Sequence, residues 1–245
     1  MIRLYKEDLK REKDFLIYDL GKINVVFSTA ENDRSFNRHK DYGVENLNSI
    51  LEDFDLSNIQ YLNQIHSDNV FIYNNLNGDI KNKEGDALIT NEKNTAIGVF
   101  TADCVPIIIV DVKNNIISSI HSGWKGTYNS IVVKTLDKMK KNFNIDINET
   151  KVFIGPHIRQ CCYEVSEELK KSFIDKTKID ENILFKDRNL SMEECILKDI
   201  REFGIKESNI YSLKLCTHCE EDISLYSYRK SVGTYGRLFS FAFIK

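Results

Sequence analysis

Two runs near the middle of the chain, VPIIIV at 105–110 and NIISSI at 115–120, are apolar almost without interruption. A strand with one wet face alternates apolar and polar residues, whereas a run this uniform has both faces covered and belongs inside a layered structure. Other β-branched or apolar runs read as strands at 23–28, 59–65, 70–73, 87–90 and 96–100, followed by KVFIG from Lys151, NIYSLKL from Asn209, and LFSFAF from Leu238 after Gly233 and Gly236. Helical spacing appears in Val44, Leu47, Leu51 and Phe54, and again in Ile131, Val132, Leu136, Met139 and Phe143. Two more helices are expected, one over SEELKKSFI with Ser166 as its N-cap, the other over 195–203. Strands and helices interleave, and no internal repeat or Gly/Ser- or Pro-rich linker divides the chain. The expected fold is therefore α/β (α+β), a single domain over 1–245 built as a mixed β-sheet sandwich flanked by helices.

Charge and cysteine usage narrow the function. Lys and Arg total 34 against 37 Asp and Glu, a net charge of −3, so the basic excess that grips nucleic-acid backbones is missing. Charges interrupt every apolar stretch of the N-terminal segment MIRLYKEDLKREKDF, and no run approaches the ~18 apolar residues of a membrane span, so a cytoplasmic protein with no membrane partner is expected. The 6 cysteines, including the adjacent Cys161 and Cys162, are too few for a disulfide framework in 245 residues and direct attention to thiol or metal chemistry.

Reactive side chains cluster in three segments that end apolar strands: NQIHSDNV with Gln64, His66 and Asp68; FTADCVPIII with Thr101, Asp103 and Cys104; and IHSGWKGT with His121, Ser122, Trp124 and Lys125. His66, Cys104 and His121 are the natural zinc set, because two imidazoles and a thiolate suit this ion and leave a fourth position open for water or substrate. Their separations match no local ligand motif, and each taken singly also fits a hydrogen-bonded histidine or a thiol beside a core strand. The glycines of HSGWKG suit a tight strand-to-helix turn whose amides can face an anion.

The segments QIHSDNV, GDALIT, TADCVPIII, IHSGWKGT, CCYEV, YSYRK and GR with SF, in this order, resemble the bacterial laccase-domain family, once catalogued as multicopper polyphenol oxidoreductases and now regarded as purine nucleoside phosphorylases with adenosine deaminase activity. The resemblance runs from about Val25 to the C-terminus. It implies that His66, Cys104 and His121 form the metal and catalytic centre. It also implies zinc as cofactor, and purine nucleosides (adenosine, inosine, guanosine, 5′-methylthioadenosine) and phosphate as small-molecule partners. A fold related to toxin-type cysteine hydrolases is implied as well. Asn37 matches the family's loop asparagine. Asn37, Gln64 and Asp103 are candidate substrate contacts, and Arg229 and Arg237 are candidate phosphate forks.

Three competing readings use the same residues. Cys104 acting as a nucleophile with His121 or His66 as base describes a cysteine hydrolase or amidase, with peptidoglycan precursors as substrates. A fourth protein ligand on the zinc describes a non-enzymatic zinc-binding module. Copper-dependent phenol oxidation needs many more clustered histidines than the 5 present. Separately, the C-x-x-C of Cys216 and Cys219, with His218 between them, is half of a second zinc motif that Cys161, Cys162 or His157 can complete. Oligomeric state, monomer or homo-oligomer, stays open.

Overall fold

A computed structural model describes residues 1–231 and 236–245. Gly233, expected in the turn before the last strand, lies outside the described residues. A seven-stranded sheet has the spatial order Ile2–Leu4, Ile210–Leu213, Thr150–Ile154, Val105–Asp111, Ile116–Ser122, Ala87–Thr90, Val70–Ile72. A six-stranded sheet runs Lys10–Glu12, Phe15–Asp19, Ile23–Ser28, Leu238–Ile244, Thr95–Thr101, Asn58–Gln60. Both are mixed: Val105–Asp111 pairs antiparallel with Ile116–Ser122, whereas Thr150–Ile154 and Ile2–Leu4 flank Ile210–Leu213 in parallel.

The apolar central runs take the two-faced position that their composition requires. Ile107 and Ile109 point into a core shared with the helices Ile131–Phe143 and Met192–Phe203, while Ile108 and Val110 point into the core between the two sheets. Side chains alternate across a strand, so a run buried on both faces is largely apolar on both. A third core lies beyond the second sheet, where Phe239, Phe241 and Phe243 meet Leu47 and Ile50 of the helix Asp41–Phe54. The order is thus helices, sheet, sheet, helix. Ser119 is polar yet fully buried within NIISSI, and its hydroxyl donates to the Ile97 carbonyl of the facing sheet at 2.7 Å. No helix among the described residues is long and apolar enough to cross a membrane.

Two local expectations need correction. On the helix Asp41–Phe54 the buried residues are Gly43, Leu47 and Ile50, and Val44 is exposed. Gly43 is where the preceding loop crosses the helix, since a Cβ there would stand 2.0 Å from the Asn37 carbonyl oxygen, and that crossing turns Val44 outward. The strand expected over 59–65 covers only Asn58–Gln60. Beyond it the Gln64 side-chain amide takes the place of a strand partner, donating to the Phe100 carbonyl at 2.8 Å and accepting from the Phe100 amide at 2.7 Å. The backbone is thereby freed to turn, and His66 adopts φ 59°. Ser166 caps its helix as expected, accepting from the Leu169 amide at 3.3 Å.

Candidate active site

His66 arrives on the loop after Asn58–Gln60, Cys104 sits just before Val105–Asp111, and His121 lies near the end of Ile116–Ser122, opposite Pro106. Residues 38 and 17 positions apart in the chain are thus brought together, and one ligand atom from each of His66, Cys104 and His121 lies within 4.8 Å of the other two. Cys104 Sγ is 3.8 Å from His66 Nε2, and the two imidazole rings meet edge to face at 4.8 Å between centroids. Gly123 makes this approach possible: a Cβ there would stand 2.8 Å from His66 Cδ2 and 3.2 Å from Cys104 Sγ.

Asp86, the acid of the GDALIT segment, organises the cluster. It is fully buried and accepts hydrogen bonds from the amides of Ile65 (3.3 Å), His66 (3.1 Å) and Ser67 (2.6 Å) and from the Ser67 hydroxyl (2.7 Å). His121 Nδ1 lies 2.7 Å from Asp86 Oδ1. An ionised carboxylate only accepts, so Nδ1 keeps its proton, and a metal replacing the Nε2 proton would find the Nε2 lone pair facing the site. Burial pushes the Asp86 carboxyl up, but the hydrogen bond and charge of His121 outweigh it and hold the group below the usual carboxylate range. Burial likewise raises the Cys104 thiol, and the charge and hydrogen bonds of His121 and His66 then bring it down to about 6. Burial lowers His121, while the Cys104 thiolate and Asp86 raise it to about 9. The trio therefore favours a thiolate beside a cationic group. That preference suits a metal ligand and a nucleophile alike.

The cluster opens into a cavity of about 910 Å³. Asn37, Gln64, Asp103, Arg229 and Arg237 all line it. Polar atoms of all five already bond within the protein, Asn37 Oδ1 accepting from the His39 amide at 3.2 Å and the Arg237 guanidinium donating to the Gly236 carbonyl at 3.2 Å. Gln64 pairs with Phe100 as above, and Asp103 accepts from Thr217 Oγ1 at 2.6 Å and from the Arg229 amide at 2.7 Å. Asp103, at φ 96°, fixes the backbone next to Cys104. The Arg229 guanidinium donates to the Glu164 carbonyl at 3.0 Å and lies over the Tyr163 ring. The turn of HSGWKG forms as expected, but its helix, Trp124–Tyr128, is a single short turn of 5 residues.

The sequence reading missed Asp86, Arg38 and Arg188. An aspartate entering a fully buried strand, ALIT, was the available signal for Asp86. Arg38 and Arg188 also line the cavity, the first over the Phe100 ring and bonded to Asn63 Oδ1 at 3.0 Å, the second paired with Glu164. Nothing in their flanking residues distinguishes them from surface arginines.

The family model described as multi-copper polyphenol oxidoreductase laccase matches residues 24–245. A Clostridium acetobutylicum protein named purine nucleoside phosphorylase is 40% identical over 227 residues, covering 93% of this chain and 94% of that protein. A Campylobacter jejuni protein of the same name is 31% identical over 235 residues, covering 92% and 94%. Among solved structures, Bacillus licheniformis hypothetical protein YfiH superposes with a TM-score of 0.86 at 21% identity over 96% of this chain and 97% of that one. YlmD from Geobacillus stearothermophilus gives 0.86 at 21% over 97% and 98%. At that identity the two structures speak to the fold alone, and they match it over nearly its whole length. With the family model and full-length relatives agreeing, the chain belongs to the multi-copper polyphenol oxidoreductase laccase family.

Proposed function

We propose that the chain is a zinc-dependent purine nucleoside phosphorylase of the cytoplasm. It cleaves adenosine, inosine, guanosine and 5′-methylthioadenosine with phosphate and deaminates adenosine hydrolytically. The observation that carries this reading is the His66, Cys104 and His121 donor set at one end of a cavity lined by Arg38, Arg188, Arg229 and Arg237. Cavities of roughly 300–1,000 Å³ take small ligands of nucleoside size. The names of the relatives point the same way.

The donor set fits zinc. Two imidazoles and a thiolate leave one position open, His121 Nε2 is freed by Asp86, and Gly123 leaves room where a Cβ would collide with two of the ligands. When bound, zinc supplies Lewis acidity and brings the pKa of a polarised water toward neutrality. Multicopper chemistry, despite the family's description, needs clustered histidines, and 5 in the whole chain do not provide them. Six free thiols suit a reducing compartment.

The chain's own groups divide the remaining work. Arg229 and Arg237 bind phosphate, with Arg38 and Arg188 adding positive potential, so that the oxygen attacking C1′ is held close while the bond to the purine nitrogen breaks. Asn37 contacts the substrate from the loop that crosses the helix Asp41–Phe54. Gln64 and Asp103 act as positioning residues, the first turning the His66 loop and the second presenting Cys104. The test is product analysis with zinc-replete protein and adenosine. Adenine with ribose 1-phosphate, formed only when phosphate is present, reports phosphorolysis; inosine, formed without it, reports deamination. Absence of both products from adenosine, and of free base from the other nucleosides, would overturn the reading.

A second reading has its own observation: Cys104, His121 and Asp86 line up as thiol, imidazole and carboxylate, the order of a nucleophile, its base and the base's orienting group. In that relay, which is the arrangement of a cysteine hydrolase, His121 is the base and His66 only helps to lower the thiol. His66→Ala separates the two, because it removes a metal ligand but leaves the relay complete. Full turnover with zinc removed, together with a covalent adduct on Cys104, would replace the zinc reading with this one.

A further inference from the structure

Behind the cavity wall, apart from the trio, the sulfurs of Cys161, Cys162, Cys216 and Cys219 all lie within 4.8 Å of one another. All four are free thiols, and Cys161 Sγ stands 3.6 Å from Cys219 Sγ. A disulfide needs about 2.05 Å. Zinc–sulfur bonds of about 2.3 Å, set tetrahedrally, place neighbouring sulfurs about 3.8 Å apart. The Cys161–Cys219 separation is close to that value, and the remaining sulfurs lie near enough for one ion to collect all four.

A second observation concerns the backbone. The amides of Arg159, His218 and Cys219 all point at Cys216 Sγ, the first at 3.5 Å. Two of these amides belong to the C-x-x-C turn itself, so the turn is wrapped around one sulfur, which is how backbone dipoles favour a thiolate that ligates a metal. The two cysteine-bearing segments are already laced together, since the Thr217 amide donates to the His157 carbonyl at 3.0 Å and the His157 amide to the Leu215 carbonyl at 3.4 Å. The histidines are not in the group: the His157 ring bonds the Gly155 carbonyl at 2.8 Å, and the set within reach of a single ion is the four sulfurs.

We propose that Cys161, Cys162, Cys216 and Cys219 hold a second metal ion, a structural zinc, which fastens segment 157–164 to segment 215–221 behind the cavity. Four thiolates close the coordination shell and leave no position for substrate, so the role is structural. What the ion holds in place follows from the neighbours of its ligands. Thr217, inside the C-x-x-C, donates to Asp103, and Asp103 sets the backbone beside Cys104. Tyr163 and Glu164, directly after Cys162, line the cavity and meet Arg229. One ion thus steadies both a wall of the cavity and the approach to Cys104.

The test is metal content of the full chain purified under reducing conditions, for three proteins: wild type, Cys216→Ser with Cys219→Ser, and His66→Ala with His121→Ala. About two zinc ions per chain are expected for the first and about one for each variant. Cobalt loaded into the histidine variant, in which all four thiols are intact, is expected to show the strong sulfur-to-metal charge-transfer absorption of a tetrathiolate site. That variant keeps the proposal testable even if the cysteine variant does not fold. Wild type with about one ion, retained in the histidine variant and lost in the cysteine variant, would support this site and remove zinc from the proposed active site. A histidine variant that binds no zinc and gives no tetrathiolate spectrum, a cysteine variant with wild-type zinc content, or a Cys161–Cys219 disulfide in the reduced preparation would overturn the proposal.

Discussion

Replacing Asp86 with Asn probes how the trio is held, because the change keeps the shape and exchanges one acceptor oxygen for an amide donor. Oδ1 accepts from the His66 amide and His121 Nδ1; Oδ2 accepts from the Ile65 and Ser67 amides and the Ser67 hydroxyl. If the new amide replaced Oδ2 it would face two backbone donors, so it replaces Oδ1. There it meets the His66 amide, and it donates to His121 Nδ1 only if His121 moves its proton to Nε2. The imidazole is then in the wrong tautomer, with its hydrogen aimed at the metal position. The buried His66 amide left without an acceptor costs about 1–3 kcal/mol of stability. Loss of the orienting carboxylate lowers zinc affinity and turnover ~10–100-fold, or about 1.4–2.7 kcal/mol. Chelator competition measures the affinity, and thermal unfolding of metal-free protein measures the stability. The pH dependence adds a signature. His121 is raised to about 9 in the folded state, so its contribution to metal-free stability is complete below its ordinary value of 6.5 and is lost as pH rises through 9. In the Asn variant that alkaline loss is smaller and is complete at a lower pH. Zinc affinity within twofold of wild type, with an unchanged alkaline limb, would refute the tautomer argument.

Gly123→Ala, at a backbone conformation of φ −75° that alanine tolerates, presses a methyl against His66 and Cys104 and is expected to cut turnover and zinc affinity ~10–100-fold while shifting the unfolding midpoint little; a fully active variant would show the trio to be less tightly placed. Arg229→Ala and Arg237→Ala are expected to lower phosphorolysis more than deamination, because only the former binds an anion beside the ribose; equal losses in the two product assays would make both arginines wall supports. Buried Glu193 bonds Arg159 at 2.6 Å and Lys214 at 2.9 Å; burial raises its carboxyl, and the charges of His157, Arg159 and Lys214 outweigh this and hold it at about 2. A depressed carboxyl stabilises above its ordinary value of 4.5 and ceases to as pH falls toward 2, so Glu193→Gln is expected to remove about 3 kcal/mol at neutral pH and flatten the acid limb of a stability-against-pH curve.

The layered core was legible in the sequence because burial on two faces leaves little room for polar residues, and VPIIIV had to be central wherever it lay. The helix Ile131–Phe143 was legible for the converse reason, since one buried face repeats at helical spacing. The N-terminal strands Ile2–Leu4, Lys10–Glu12 and Phe15–Asp19 escaped notice: two of them lie at sheet edges, where charged residues are tolerated, so their pattern is that of a polar loop. The residues 61–65 misled in the opposite sense. Their composition is that of a strand, but Gln64 and Asp86, which decide the path, act through side-chain bonds to remote backbone, and no local period records such bonds. His66, Cys104 and His121 were legible as residue types at strand ends. Their meeting was not, because it depends on which strands pair.

That dependence explains why the site's supports are so distant in sequence. His66 at φ 59° and Asp103 at φ 96° occupy backbone regions that cost non-glycine residues about 1–3 kcal/mol each. The His66 turn is held by Asp86, 20 residues on, through a carboxylate that also orients His121. The Asp103 turn is held by Thr217 and the Arg229 amide, 114 and 126 residues on. Each strained turn is therefore stable only after a remote segment has docked, and each places a cavity-facing ligand where a relaxed backbone would not. The Asp103 anchor has a consequence for Cys104. Thr217 lies between Cys216 and Cys219, so whatever fixes that C-x-x-C turn also fixes the acceptor geometry at Asp103 and, one residue later, the direction of the Cys104 sulfur. Loosening the four-cysteine cluster should thus reach the trio through a single hydroxyl, without any change in the ligands themselves.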